Sequence, residues 1–246
     1  MPTEAAVTAA TVSIVIPAHD EERALPVTLA HLTAALAQSG IAGEIIVVDN
    51  ASADRTAEIA REHGAKVVLE PHRQISRARN TGARHAAAPY LMFVDADTRP
   101  PAELMHRALA ELDAGACGGG ALIAFDDEPN ALYRRGLTLW NAVSRRFNWA
   151  AGCFVFARRE AFEAIGGFDE RVYAGDEVTF SRGVRRWGRS RQRPFVIIED
   201  PPVRTSARKA HWFTPTQHLL MMLLALVPFA LRSRRLMWFW YRRPGR

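Results

Sequence analysis

Apolar runs that alternate with helical segments are the feature of residues 12–98 that most constrains the fold. These apolar runs predict strands at residues 12–16, 44–48, 66–69 and 90–94, with helices between them. In the first helical segment, leucines recur every three or four residues from Leu25 to Leu36, which is the spacing of one helix face. This alternation predicts an α/β fold with a mainly parallel, twisted sheet, right-handed crossovers and helices on both faces.

Polar loops follow three of the predicted strands at their carboxyl ends, at residues 17–22, 49–56 and 95–98. In an open parallel sheet these ends meet at one edge, and ligands bind there. The third loop contains Asp95 and Asp97, whose carboxylate oxygens suit Mg²⁺ or Mn²⁺, although Asp is also an ordinary turn residue. No glycine-rich phosphate motif is present in the sequence, so we expect metal and basic side chains to hold a nucleotide diphosphate.

The second half of the chain has a less regular pattern. Helices are predicted from Pro100 to about residue 115, over 130–149, over 161–165 and from Asp176 to about Trp187, with strands at 117–125, 151–156 and 195–199. Six arginines between Arg182 and Arg193 predict either a solvated helix face or a binding site for an acidic acceptor.

Charge is distributed unevenly along the 246 residues, whose net charge is +6. Up to Asp200, 23 basic residues against 26 acidic ones give a net charge of −3, whereas residues 201–246 contain nine basic residues and no acidic one. A basic surface for nucleic acid is therefore not indicated. Basic residues beside Trp and Leu favour an anionic surface instead, most simply a membrane.

The apolar part of the tail, residues 219–231, has thirteen residues, whereas about twenty are needed to span a bilayer. Arginine and aromatic residues follow it, and both favour the headgroup layer. We expect a helical tail that lies on the inner face of the cytoplasmic membrane. The alternative is a tail that packs back on the enzyme or on a second subunit.

Residues 1–11 are rich in Ala and Thr and predict a flexible N-terminus that is neither a signal peptide nor a membrane anchor. The two cysteines, Cys117 and Cys153, lack the spacing of metal ligands, and we expect buried thiols in a reducing compartment. Together these features predict a cytoplasmic protein.

Several short segments resemble those of one enzyme family. In chain order they are Pro17-Ala18-His19-Asp20-Glu21, Val48-Asp49-Asn50-Ala51-Ser52, Ala78-Arg79-Asn80-Thr81-Gly82, Asp95-Ala96-Asp97, Gly166-Gly167-Phe168-Asp169 and Asp176-Glu177. With these segments the chain resembles the family 2 glycosyltransferases over residues 12–200. The resemblance implies the GT-A fold of nucleotide-diphospho-sugar transferases, with a nucleotide-binding half at 12–98, an acceptor half at 99–200 and a tail at 201–246.

The resemblance also implies roles for single residues. The nucleotide would contact Pro17, Ala18, Glu21, Asp49, Arg77, Arg79 and Asp95. Asp97, with Asp95, would bind Mg²⁺ or Mn²⁺, and Glu177 would be the catalytic base, with Asp176 as the second candidate. Other interpretations stay open: Asp49 as a helix cap, Arg77 and Arg79 as solvated side chains, and Asp176 as an acid stabilised by the helix dipole.

The implied activity is transfer of a sugar from a nucleotide-diphosphate sugar, with UDP favoured, to an acceptor hydroxyl, including a lipid-linked one, with inversion at the anomeric carbon. The Gln-x-x-Arg-Trp motif of processive enzymes is missing, because no Gln precedes Arg186-Trp187 at that spacing, so we expect single transfers. The alternatives are a non-catalytic nucleotide-sugar-binding scaffold and a metal-dependent nucleotidyltransferase.

Overall fold

The computed structural model describes residues 10–126, 131–206 and 229–237, with Arg208, Thr216, Gln217, Leu220, Leu224, Val227 and Tyr241, and only the backbone of Leu132. Within these residues the strands are β1 (Val12–Ala18), β2 (Gly43–Asp49), β3 (Lys66–Leu69), β4 (Tyr90–Val94), β5 (Thr98–Arg99), β6 (Gly118–Phe125), β7 (Phe154–Arg158) and β8 (Phe195–Thr205). The helices are α1 (Leu25–Ser39), α2 (Thr56–Glu62), α3 (Ile75–His85), α4 (Ala102–Asp113), α5 (Ala131–Phe147), α6 (Arg159–Ala164) and α7 (Asp176–Arg189), followed by a short 3₁₀ helix at Ala230–Arg232.

All eight strands form one sheet in the order β3-β2-β1-β4-β7-β6-β8-β5. The pairs β1–β2, β1–β4, β2–β3 and β6–β8 are parallel, and the pairs β4–β7, β6–β7 and β5–β8 are antiparallel. The strands of the first half are therefore parallel to one another, as the alternating pattern predicts, and their carboxyl ends lie at one edge.

Helices cover both faces of this sheet. The two faces of β4 show how the core is divided, because successive side chains of a strand point in opposite directions. Met92 and Val94 pack with residues of α1 and α4, whereas Leu91 and Phe93 pack with residues of α3, α6 and α7. Both clusters are buried, and the predicted α/β architecture is confirmed.

Helix α3 approaches the sheet closely at Gly82. A Cβ atom at this position would lie 2.3 Å from Val15 Cγ1 and 2.9 Å from Val48 Cγ2. Only a residue without a side chain fits there, and this explains the glycine at the end of the Ala-Arg-Asn-Thr-Gly segment. The close packing places the earlier residues of α3 against the edge where the predicted site lies.

Several boundaries differ from the sequence-based prediction, and β7, observed at Phe154–Arg158 instead of 151–156, is one of them. Strand β1 continues through Pro17 to Ala18 instead of ending before the proline. The Ala18 carbonyl accepts a hydrogen bond from the Asn50 amide on the β2 side, so the backbone nitrogen of Pro17 faces the β4 side. Pairing with β4 has already ended at Val15, and the missing N–H of Pro17 therefore removes no hydrogen bond between strands.

Two further differences lie at the opposite edge of the sheet. The two-residue strand β5 is not predicted, and β8 continues to Thr205, past the predicted end at residue 199 and past the boundary placed at residue 200. The register of β8 against β6 shifts between Ala121 and Ile123, so the segment that contains Pro201 and Pro202 is accommodated by an irregularity.

The described part of the tail packs on the enzyme. Ala230 and Met237 are buried against Ala174, and the Tyr173 amide donates to the Leu231 carbonyl at 2.6 Å. The Tyr241 hydroxyl donates to the Tyr173 carbonyl at 3.1 Å. In the part of the chain that the structure describes, no helix combines the length and the apolar character needed to span a bilayer. Residues 1–9 and most of 207–228 lie outside the described residues, so the flexible N-terminus and the membrane-bound tail stay predictions.

Candidate active site

Polar loops from two strand ends are joined by hydrogen bonds. The Asp20 amide donates to Ser52 Oγ at 3.0 Å, and the Glu21 amide donates to Thr56 Oγ1 at 2.7 Å. Asn50 continues this network, because its side-chain amide donates to the Glu70 and His72 carbonyls at 3.0 and 2.7 Å. The loops after β1, β2 and β3 therefore form one connected surface at the predicted edge of the sheet.

Arg79, on α3, connects the residues that the sequence analysis assigns to metal binding and to catalysis. Nη1 donates to Asp176 Oδ2 at 2.7 Å, and Nη2 donates to Asp95 Oδ1 at 3.1 Å. The same Nη2 donates to the Gly152 carbonyl at 2.7 Å. With 1% of its surface exposed, Arg79 is not a solvated helix arginine, and that interpretation is wrong.

Burial and electrostatics oppose each other at Arg79. Burial lowers the pKa of Arg79, but the carboxylates of Asp176, Asp95 and Glu177 outweigh it and raise this pKa above its ordinary value. The guanidinium also lies 5.2 Å from the ring centroid of Phe168. Nε of Arg79 is buried and has no hydrogen-bond partner among the described residues. Arg79 is thus a fixed positive charge between two carboxylates.

The other carboxylate of the pair after β4, Asp97, contacts a residue that the sequence analysis did not select. Arg208 Nε lies 2.9 Å from Asp97 Oδ2. Its two terminal nitrogens donate to both carboxylate oxygens of Glu21, at 2.7 and 2.6 Å. Sequence pattern gives no signal for this contact, because Glu21 and Arg208 are 187 residues apart and Arg208 lies in the segment assigned to the tail.

Two carboxylates at this edge fit a divalent cation. Among the residues that the structure describes, no group of three or more His, Cys, Asp or Glu side chains could hold a metal ion by itself. Mg²⁺ and similar ions are commonly held by one or two carboxylates, with phosphate and water oxygens completing the coordination. Asp97 and Asp95 supply hard oxygen ligands of this kind, and the ion pair of Asp97 with Arg208 shows that a positive charge is favoured there.

Asp176 and Glu177 begin α7 but have different environments. Asp176 is 2% exposed, and its carboxylate is paired with Arg79. Glu177 lies beside Gly152, where a Cβ atom would be 3.4 Å from Glu177 Cδ. Burial, together with the neighbouring Asp176 carboxylate, raises the pKa of Glu177 to about 8. Glu177 is therefore the acid of the pair whose environment suits proton transfer near neutral pH.

Asn80 positions the loop that precedes α7. Its side chain donates to the Phe168 carbonyl at 3.0 Å and accepts from the Phe168 amide at 2.9 Å. Gly167 has φ of +77°, and a Cβ atom there would lie 2.6 Å from Asn80 Oδ1. The Ala-Arg-Asn segment and the Gly-Gly-Phe-Asp segment therefore form one unit, which places the Phe168 ring against Arg79.

The remaining predicted residues lie at the same edge with less informative contacts. Asp49 Oδ1 accepts from the Ser52 amide at 3.0 Å within its own loop. Pro17 and Ala18 end β1 beside Asp49. Arg77 donates to Gln74 Oε1 at 3.1 Å and lies 3.4 Å from Glu170 Oε2. Nucleotide binding by these four residues stays a prediction.

The family model that matches this chain is described as glycosyl transferase family 2 and covers residues 13–166. An uncharacterized glycosyltransferase of Mycobacterium tuberculosis is 38% identical over 105 residues, which are 43% of this chain and 45% of that protein. The undecaprenyl-phosphate 4-deoxy-4-formamido-L-arabinose transferase of Salmonella paratyphi A is 32% identical over 111 residues, 42% of this chain and 34% of that protein. The chain thus spans less than half the length of each relative in the match.

A solved structure has a similar fold. The mannosyltransferase PcManGT from Pyrobaculum calidifontis, in complex with GDP-Man and Mn²⁺, superposes with a TM-score of 0.64 at 21% identity. The superposition covers 87% of this chain and 63% of that one. The likeness confirms the GT-A fold that the sequence predicts.

Proposed function

Because this chain belongs to glycosyl transferase family 2, we propose that it transfers a sugar from a nucleotide-diphosphate sugar to an acceptor hydroxyl, with inversion at the anomeric carbon. In this reaction the acceptor oxygen bonds to the anomeric carbon, the bond from that carbon to the diphosphate breaks, and the acceptor proton moves to a base. The protein must therefore stabilise a departing diphosphate and accept a proton.

Glu177 accepts the proton in this proposal. Its raised pKa, about 8, makes its carboxylate a stronger base than an exposed glutamate, and its neighbour Asp176 is already paired with Arg79. Asp176 then acts by holding Arg79 in place.

Asp97 and Asp95 hold Mg²⁺ or Mn²⁺ in the proposed donor complex. When bound, the metal neutralises the negative charge that grows on the diphosphate as the glycosidic bond breaks. Pro17, Ala18, Glu21, Asp49, Arg77 and Arg79 belong to the nucleotide side of the site in this proposal. Binding of GDP-Man and Mn²⁺ by the similar PcManGT supports a nucleotide-sugar donor and a divalent cation.

The observation that carries the proposal is the Arg79 bridge. One buried guanidinium contacts Asp95 on the metal side and Asp176 on the base side, at 3.1 and 2.7 Å. This contact fixes the distance between the two parts of the site that must act on the same sugar. An inverting displacement needs a base on the face opposite the leaving group, and a fixed distance between the two parts of the site supports this proposal.

A lipid-linked acceptor is part of the proposal. The name of the Salmonella relative includes undecaprenyl phosphate, and residues 201–246 have nine basic residues and no acidic one. Such a tail attracts anionic lipid headgroups. We place the enzyme in the cytoplasm on the inner face of the cytoplasmic membrane, with the catalytic body at residues 12–200 and single transfers rather than polymer synthesis.

A panel of UDP-, GDP- and dTDP-sugars tests the proposal. Purified protein with Mn²⁺ is expected to release nucleoside diphosphate from one donor, and EDTA is expected to abolish the release. Release of pyrophosphate from a nucleoside triphosphate and a sugar phosphate would indicate a nucleotidyltransferase. Donor binding without turnover in the presence of lipid phosphates and simple glycosides would indicate a non-catalytic binding protein.

The membrane part is tested separately by sedimentation with vesicles that contain anionic phospholipid. Full-length protein is expected to sediment with these vesicles at low salt, and protein ending at residue 228 or earlier is expected to sediment less. Equal recovery of both proteins would contradict membrane binding through the tail.

A further inference from the structure

Arg208 places a positive charge where the proposed metal site needs a free carboxylate. Its Nε lies 2.9 Å from Asp97 Oδ2, and its other two nitrogens form a two-pronged pair with Glu21. Burial lowers the pKa of Arg208, but Glu21 and Asp97 outweigh it and raise this pKa above its ordinary value. The guanidinium is therefore a permanent cation in contact with the carboxylate that is assigned to the metal.

The fold delivers Arg208 to this position through β8. Thr205 pairs with Thr98 across the antiparallel β5–β8 contact, and their hydroxyls are 2.9 Å apart. The Ser206 amide donates to the Asp97 carbonyl at 3.3 Å, and the Arg208 amide donates to Ser206 Oγ at 3.1 Å. The backbone next to Arg208 is thus hydrogen-bonded to the Asp97 loop independently of the contacts that the Arg208 side chain makes.

The contact with Asp97 opposes the binding of a metal ion to the same carboxylate oxygen. A divalent cation binds a carboxylate oxygen at about 2.0–2.2 Å, and a guanidinium nitrogen 2.9 Å from that oxygen would then lie within a few ångström of the ion. Like charges at this separation repel each other. The Arg208 side chain is 25% exposed, so solvent is available to it if the contact is broken.

We propose that Arg208 is an internal counter-ion of the donor site. In the absence of metal its guanidinium pairs with the Asp97 carboxylate, and this contact has to break before a divalent cation can bind Asp97. The pair with Glu21 is made by other nitrogens than the contact with Asp97, so the charge of Arg208 keeps a partner when the contact with Asp97 breaks. Arg208 is a positioning residue in this proposal, since it acts through Asp97. This role rests on the proposed function, because it requires that Asp97 be a metal ligand.

Binding of Mn²⁺ alone, without nucleotide, tests this role. Free Mn²⁺ is measured by electron paramagnetic resonance during titration of wild-type protein and of Arg208→Ala at high protein concentration. Arg208→Ala is expected to bind Mn²⁺ at least about tenfold more tightly than wild type, which corresponds to the loss of one competing charge-assisted contact. Arg208→Lys keeps the charge and should stay closer to wild type. Circular dichroism confirms that each variant is folded.

Arg204→Ala is the matched control, because Arg204 is an exposed arginine near the end of β8, four residues before Arg208. It is expected to bind Mn²⁺ within about twofold of wild type, since an exposed surface charge is screened by salt. Equal tightening by Arg204→Ala and Arg208→Ala would mean that net charge, and not displacement from Asp97, is the cause, and would overturn the proposal.

Two results separate this role from the proposed function. Equal titration curves for wild type and Arg208→Ala, whether or not either protein binds Mn²⁺, overturn the role of Arg208. The double variant Arg208→Ala/Asp97→Ala is expected to lose the binding that Arg208→Ala gains. If the double variant binds as tightly as Arg208→Ala, Asp97 is not a metal ligand and the metal site of the proposed function is wrong.

Discussion

Substitution of Arg79 by Leu should destabilise the protein strongly, because it leaves buried carboxylates without their counter-charge. Arg79 is 1% exposed and Asp176 is 2% exposed, so solvent cannot replace the lost contact. Removal of one partner from a buried ion pair costs about 3–5 kcal/mol. For a protein of this size we therefore expect Tm to fall by roughly 6–20 °C.

Urea denaturation followed by circular dichroism measures the effect as a loss of unfolding free energy. Arg77→Leu is the matched control, since Arg77 lies two residues earlier on the same helix, and its side chain, 40% exposed, faces Glu170. An exposed ion pair contributes little, so this control should lose less than about 1 kcal/mol.

The double variant Arg79→Leu/Asp176→Leu decides whether the uncompensated charge is the cause. It removes the orphaned carboxylate together with the guanidinium, and it should be more stable than Arg79→Leu by about 1–3 kcal/mol. A double variant no more stable than the single one would refute the reasoning, because the loss would then come from packing around Arg79 and not from charge. A loss below about 1 kcal/mol in Arg79→Leu would refute it as well.

Other expected outcomes concern catalysis and packing. Glu177→Gln should lower kcat by about 10²–10⁴-fold with donor affinity unchanged, as measured by isothermal titration, and undiminished turnover would exclude Glu177 as the base. Since a base acts when deprotonated, kcat should rise with pH through about 8, and a flat profile across that range would contradict the assignment. Gly82→Ala puts a Cβ atom 2.3 Å from Val15 Cγ1 and should cost about 1–3 kcal/mol in urea denaturation, whereas Gly136→Ala, with no atom within 4 Å, should not destabilise.

The parallel half of the fold could be predicted because its signals are local. Strand β4 is observed at Tyr90–Val94 and β3 at Lys66–Leu69, as the apolar runs predict. Strand β4 is a continuous apolar run and β3 has three apolar residues after Lys66, and hydrophobic pattern identifies such runs well. The positions of the polar loops then follow from the rule that parallel strands end at the same edge.

The opposite edge of the sheet could not be predicted because its strands depend on distant partners. Strand β5 has two residues, too few for any periodicity, and it exists because Thr98 and Arg99 pair with β8. The continuation of β8 past Pro201 and Pro202 runs against strand propensity, which disfavours proline. Only pairing with β6 and β5, more than 70 residues earlier in the chain, makes it a strand.

In the candidate site, too, local features could be predicted and contacts between distant residues could not. Asp95 and Asp97 could be predicted because acidic residues at a strand end are visible in sequence, whereas Asp176 and Glu177 were predicted from the family resemblance. The environment that distinguishes Asp176 from Glu177 was not visible, because it depends on Arg79, 97 residues before Asp176. Asn80 and Gly167 lie in two different segments that resemble the family, but the close approach of these two residues appears only in the folded chain.

The two aspartates after β4 look equivalent in sequence and are not equivalent in the fold. Asp95 contacts Arg79, whose side chain is 2% exposed and is also held by Asp176 and the Gly152 carbonyl. Asp97 contacts Arg208, whose side chain is 25% exposed and which lies three residues beyond the end of β8. A cation enclosed by three acceptors cannot leave without exposing buried charge, whereas a partly exposed side chain can more readily exchange its partner for water or another ion. In the proposed function, Asp95 therefore orients the site and Asp97 is the carboxylate whose partner changes during the catalytic cycle.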